Sequence, residues 1–267
     1  MASVTARINQ IKQPRGGYIK PSQFKETAFD DGLNPNADYE SVHASIVGMA
    51  VDYLTRFLMG AKIEDAFKIS MLGYKHRIMI LGERQLKRDQ KQKLDITTLL
   101  EQIKGLDDNS IIAACKATTY DVWYRNPMGA IRAKEADEII LEEITIENIR
   151  IMVNRSLLFW EKYGPIIKDG FTFENGGYTA TVHAGDGDFL TADTLWDFKV
   201  SKSRPTNRNT LQLLMYWIMG QHSGKEEFTK ITKLGIFNPR LNKMYLLNMS
   251  EVPAEVIEDV EQNVICY

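Results

Sequence analysis

The stretch Gly185–Lys202, GDGDFLTADTLWDFKVSK, carries two carboxylates and a lysine where a hairpin brings them together. With the turn at TADT and the hairpin centred between Ala192 and Asp193, Leu190 pairs with Leu195, Phe189 with Trp196 and Asp188 with Asp197. Side chains alternate along a strand, so Asp197 and Lys199 share one face while Trp196 and Phe198 take the other. Like charges facing each other across a sheet cost about 0.2–1 kcal/mol when exposed and more when partly buried, so the pattern calls for a cation between them. Oxygen ligands at this spacing suit Mg²⁺ or Mn²⁺, and Lys199 is close enough to hydrogen-bond a water or a phosphate oxygen there. The implied chemistry is metal-assisted hydrolysis of a phosphodiester. A plainer account is a solvated hairpin whose Asp, Asp and Lys serve solubility, and D-x-K alone is a weak motif. A calcium loop is excluded. Asp186, Asp188 and Asp197 fall at its first, third and twelfth positions, but Leu190 and Thr191 stand where a ligand and the turn glycine belong.

At 267 residues the chain is long enough for one large domain, or for a catalytic core with an added helical region. Its apolar and charged contents, 44% and 25%, are those of an ordinary globular protein. No apolar run approaches the roughly 18 residues of a membrane span, and the first residues, MASVTARINQIKQPRGG, lack the apolar core of a secretory signal, so the expected location is cytoplasmic. Two distant cysteines, Cys115 and Cys266, support neither a disulfide framework nor a zinc or iron–sulfur site. A net charge of −2 does not advertise nucleic-acid binding, so any basic surface is local. One cluster, Lys75, Arg77, Arg84, Lys87, Arg88, Lys91 and Lys93, reads as a solvated helix face. The other, Lys199, Lys202, Arg204 and Arg208, lies beside the proposed site and is better placed to hold phosphates.

The first residues are rich in Gly, Pro and Asn (QPRGGYIKPSQ, DDGLNPNAD) and read as an irregular arm, residues 1–37. A helical region, residues 38–146, follows. Its first helix, over about 38–60, places His43, Val47, Ala50, Val51, Leu54 and Leu58 on one stripe. Further helices are expected at about 62–90, 95–105, 109–117 and 128–163, the last broken near Thr145. From residue 147 to 267 the order becomes helix, three strands, helix, two strands, helix. The strands are GFTFEN, a hairpin turn at Asn175-Gly176-Gly177, YTATVHAGDGDFL and TLWDFKV, then ITKLGIF and KMYLLNM. The helix between the two groups, capped near Asn209 or Thr210, is apolar almost all round, as a helix buried against a sheet must be.

These residues carry a resemblance. Gly185-x-x-Asp188 looks like the metal-binding aspartate motif of the PD-(D/E)XK nuclease superfamily, and Asp197-Phe198-Lys199 like its D-x-K motif. Gln212-x-x-x-Tyr216 on the next helix is similar to the Q-x-x-x-Y motif of RecB-type exonucleases. The resemblance covers about residues 147–267 and implies a restriction-endonuclease-like α/β core, a mixed central sheet flanked by helices, with a mostly helical N-terminal extension that walls the cleft and selects the substrate. It implies that Asp188, Asp197 and the carbonyl of Phe198 hold Mg²⁺ or Mn²⁺ and that Lys199 positions the attacking water. Gln212 and Tyr216 complete the catalytic set, and Lys202, Arg204 and Arg208 hold the substrate. RecB-type relatives often add a histidine or glutamate from an upstream helix; His43 is the natural candidate and Glu161 its competitor. With only two cysteines, the iron–sulfur subgroup is excluded. No helicase P-loop occurs, so an unwinding or recombination partner would be a separate chain. The expected partner is DNA, with no membrane, and homo-oligomeric and monomeric assemblies are both compatible with the core. The rival reading is a non-catalytic nucleic-acid-binding or assembly protein that retains the fold.

Overall fold

Period-two alternation in the C-terminal third and 3.6-residue periodicity in the middle of the chain produce two packing units in the computed structural model, which describes residues 2–267. One unit is Met1–Asp31 together with Phe159–Tyr267, and the other is Gly32–Leu158. Each has its own core.

The first unit begins with β1 (Ala2–Ser3), α1 (Val4–Gln10) and β2 (Lys25–Ala28). Ser3 caps α1 by accepting the Ala6 N–H through its hydroxyl. The second unit is helical: α2 (Ala44–Leu58), α3 (Ile63–Ala66), α4 (Lys68–Leu81), α5 (Glu83–Lys91), α6 (Ile96–Glu101), α7 (Asp108–Thr118), α8 (Asp121–Arg125), α9 (Pro127–Ala130) and the start of α10 (Glu143–Tyr163). The first unit then resumes with β3 (Lys168–Phe171), β4 (Val182–Ala184), β5 (Gly187–Leu190), β6 (Thr194–Phe198), α11 (Asn207–His222), α12 (Glu226–Thr229), β7 (Lys233–Asn238), β8 (Lys243–Asn248) and α13 (Ala254–Asp259).

Six strands form one mixed sheet in the order β2-β8-β7-β6-β5-β3. Only β6 and β7, joined through α11, run parallel; the other neighbours are antiparallel. The chain is therefore an α/β protein whose mixed sheet is flanked by helices. On one face, Leu190, Leu195, Leu234, Ile236 and Leu247 pack beneath the apolar side of α11. On the other, Phe189, Trp196, Phe237 and Met244 meet Phe159 and Trp160 from the last turns of α10. Phe159 stacks on Phe237 with ring centres 3.9 Å apart, and Trp196 meets its edge at 5.1 Å.

Several expectations are corrected. The residues 1–37 are not an irregular arm: Val4, Ile8, Ile19 and Phe24 are buried in the sheet core, and β2 pairs with β8 as an edge strand. The Gly and Pro residues mark the turns between these short elements rather than an absence of structure. The unit boundaries fall at Asp31/Gly32 and Leu158/Phe159, the second within α10, rather than at 37 and 146. The Asn175-Gly176-Gly177 turn forms, but it does not close a hairpin. The strand before it, β3, pairs with β5, while β4 pairs in parallel with β1. The helix foreseen over 62–90 is three helices, with Gly82 at φ 81° separating α4 from α5. The segment 128–142 is largely non-helical, and the long helix starts at Glu143. Within the second unit, Arg77 does not belong to a solvated face. It is buried and ion-paired to Asp89 and Glu135, because a buried guanidinium needs anionic partners.

The tight spacing of the two central strands is testable at Gly235, which pairs with Trp196. A methyl group there would come within 2.3 Å of the indole ring. Gly235→Ala is expected to cost about 1–3 kcal/mol, read as a lower urea midpoint at unchanged m-value; an unchanged midpoint would show that the indole has room to move.

Candidate active site

Phe189 pairs with Trp196 and Leu190 with Leu195, so β5 and β6 have the register that brings Asp188 level with Asp197. The Asp188 carboxylate accepts the Phe198 N–H at 2.8 Å, which ties the end of β5 to the last residue of β6. Asp197 follows Leu195 on the α11 side of the sheet and is only 3% exposed. One of its oxygens receives the Lys199 ammonium at 2.9 Å; the other, Oδ2, is buried and has no hydrogen-bond partner. Burial pushes the Asp197 carboxyl up to about 6, the neighbouring Lys199 pulls it down, and the Asp188 charge pushes it up again.

Gly185 and α11 hold this group in place. A side chain at Gly185 would collide with Val4 of α1 at 2.8 Å and come into ordinary contact with the Tyr216 ring at 3.5 Å, so the chain passes close to both. The Tyr178 hydroxyl donates to the Gly185 carbonyl at 2.7 Å and fixes the approach to β5. On α11, four residues of spacing bring Gln212 and Tyr216 into contact, with the Gln212 amide donating to the Tyr216 hydroxyl at 2.9 Å. Burial, reinforced by the charges of Asp197, Asp188 and Asp186, pushes the Tyr216 phenol well above its usual range, so it stays protonated. Asp186, set aside with the calcium-loop spacing, is thus within electrostatic reach of the site.

The remaining predicted residues fare differently. His43 is not on the apolar stripe of α2. It is the exposed N-cap of that helix in the second unit, with its ring nitrogen against the Ser45 N–H and hydroxyl. Imidazole serves there as a capping acceptor. Glu161 is exposed on the stretch of α10 whose Phe159 and Trp160 pack on the aromatic face, opposite Asp197, and it does not join the two aspartates. Arg204 reaches Glu26 on the edge strand at 3.4 Å, while Lys202 and Arg208 are exposed on the same segment. His222 pairs with Glu261 and stacks on Tyr267, and so acts in the C-terminal packing.

Among the described residues, no group of three or more His, Cys, Asp or Glu side chains gathers around one point. The acidic groups that the strand register brings together here are therefore the two carboxylates of Asp188 and Asp197. An unpartnered, buried carboxylate oxygen beside a second carboxylate fits a hard divalent cation that keeps water on its open positions, as Mg²⁺ does. Among the described residues, no helix is long and apolar enough to cross a membrane.

Compared with known proteins, the chain matches no family model, no curated protein and no solved structure.

The raised Asp197 carboxyl gives a pH prediction for the protein in EDTA. A carboxyl whose folded value lies above its unfolded value, about 4, binds a proton more readily when folded, so its contribution to stability is present at low pH and is lost as pH rises through about 4 to 6. Asp197→Asn is expected to raise stability above pH 6 by on the order of 2 kcal/mol and to change it little below pH 4. Thermal melts across this range decide; a difference independent of pH would show that Asp197 is not held in this way.

Proposed function

We propose that this protein is a Mg²⁺- or Mn²⁺-dependent nuclease that hydrolyses phosphodiester bonds in DNA. The observation that carries the reading is the buried Asp197 oxygen left without a partner beside Asp188, with the Lys199 ammonium 2.9 Å from the other oxygen. Burying a carboxylate in this way is unfavourable for folding alone, and perturbed carboxylates of this kind concentrate at functional sites. Asp188, Asp197 and the Phe198 carbonyl would hold the ion, which when bound supplies positive charge to the phosphoryl oxygens and to the attacking oxygen.

The chain's own groups do the rest. Lys199 is half-exposed with its ammonium 2.9 Å from Asp197, and in this reading it positions the attacking water. Tyr216, protonated and accepting from Gln212, retains its own proton as a donor. Exonuclease action is the favoured mode because of the Gln212 and Tyr216 pair, and Lys202, Arg204 and Arg208 are the substrate-holding cations of this reading. A second reading, a nucleic-acid-binding module that has lost turnover, is favoured by one observation, the absence of a third acidic or histidine ligand among the described residues.

Purified protein incubated with end-labelled linear and covalently closed DNA, in Mg²⁺, Mn²⁺ or EDTA, separates the two. The nuclease reading expects metal-dependent release of label from linear DNA, reduced at least about 100-fold in Lys199→Ala and Asp197→Ala. Equal degradation by the wild type and both variants would sink it, and binding without cleavage selects the second reading. Calorimetry adds a measurement independent of turnover, in which Mn²⁺ binding heat is lost in Asp188→Asn and kept in Glu161→Gln.

A further inference from the structure

Arg77 leaves the run of cations over residues 75–93 by turning inward, and most of the others gather on one side of α5. Arg84, Lys87, Arg88 and Lys91 follow i, i+3, i+4, i+7 spacing, which lines them along one face of that helix. All four are exposed. The opposite side carries Asp89, buried and ion-paired to Arg77, and Gln85, whose amide donates to Asp89 at 2.8 Å. Leu86 is only half-buried, so α5 contributes almost nothing to the apolar core.

A helix of 9 residues with polar side chains on nearly every side does not persist alone in water. Here ion pairs hold it: Asp89 meets Arg77 inside the unit, and Arg88 reaches Asp137 at 2.9 Å. The consequence is electrostatic. The helix's own Asp89 is neutralised inward, and Glu83 stands in the first turn, where the helix dipole favours it. Among the described residues, Arg84, Lys87 and Lys91 have no anionic partner. A chain of net charge −2 thus presents three open cations in a row about 10 Å long, at a rise of about 1.5 Å per residue.

We propose that this face of α5 binds the sugar–phosphate backbone of DNA. About 10 Å of duplex axis spans roughly three phosphates of one strand, which matches the three open cations. The face presents charge and no aromatic or large apolar side chain, so it holds phosphate and reads no base sequence. An anionic bilayer fits less well, because a helix lying on a membrane buries an apolar side, and the side of α5 opposite the stripe is closed by Arg77. The inference rests on the nuclease reading for the choice of DNA among polyanions, and it gives the helical unit a part in holding the strand.

The test is fluorescence anisotropy of the full chain on labelled duplex DNA in EDTA over a range of salt, repeated with a second DNA sequence. The triple variant Arg84→Ala, Lys87→Ala, Lys91→Ala keeps the helix, because alanine is the better helix former. It is expected to bind both sequences at least about tenfold more weakly at low salt. The slope of log affinity against log salt is expected to fall by about 2 to 3, or about 0.9 per lost phosphate contact. The charge-keeping variant Arg84→Lys, Lys87→Arg, Lys91→Arg is expected to retain both affinity and slope. So is Lys62→Ala, Lys68→Ala, Lys104→Ala, which removes the same charge from exposed positions elsewhere on the helical unit. No DNA binding by the wild type, an unchanged slope in the alanine variant, or an equal loss in the control would each overturn the stripe. So would loss of binding to phosphatidylserine vesicles with DNA binding intact, an arm included because Met79, Ile80 and Leu81 are exposed just before α5. Cleavage in Mn²⁺ with binding unaffected by the three substitutions removes the stripe and leaves the nuclease; stripe-dependent binding without cleavage does the reverse.

Discussion

Everything in the sheet-bearing unit is arranged around the burial of one carboxylate. Asp197 occupies the position on β6 where alternation demands an inward-facing side chain, two residues after Leu195 and level with Ile236. An apolar residue there would complete the core under α11 at little cost. A carboxylate instead has to be paid for, and the surroundings compensate it only in part: Lys199 neutralises one oxygen, Asp188 is drawn to the Phe198 N–H, and the second Asp197 oxygen is left over. A fold that tolerates this leaves a defined place for positive charge.

The two faces of the sheet divide the work. The aromatic face, with Phe159, Trp160, Trp196 and Phe237 interlocked, is buried and closely packed against β5, β6 and β7. The α11 face combines an apolar interior with the Asp188 and Asp197 carboxylates, so the helix that buries Leu195 and Leu234 also brings Tyr216, and Gln212 bonded to it, toward the aspartates. Rigid backing on one side and a single long helix on the other are what allow side chains from β5, β6 and α11 to converge with little freedom.

The N-terminal residues belong to this same arrangement. Thr210 of α11 donates to the Ile19 carbonyl at 2.6 Å, Val4 lies against Gly185, and β2 closes the sheet edge beside β8. The segment that precedes the helical unit therefore shapes the approach to the aspartates. Its short elements are held by contacts with residues roughly two hundred positions later in the chain, and it has little structure-forming tendency of its own.

Local pattern was enough to read the strand alternation of β6, the pairing register of β5 with β6, the buried character of α11 and the meeting of Gln212 with Tyr216. Each depends on spacing within a few residues, where 2.0 and 3.6 periodicities act directly. It also suggested His43 or Glu161 as a third ligand, and among the described residues neither joins the two aspartates in a group of three. His43 fits the spacing of a helix stripe, whereas N-caps are usually Ser, Thr, Asp or Asn, and only the observed start of α2 at Ala44 puts it at the cap. Glu161 follows two aromatic residues whose burial dictates which face of the sheet that helix covers. The pairing of β3 with β5 and the parallel contact of β1 with β4 arise from long-range register, which is set by how apolar faces close over one another. The sequence by itself determined which residues are candidates for chemistry; tertiary structure decided which of them lie together, because burial and strand order act between segments that no local pattern connects.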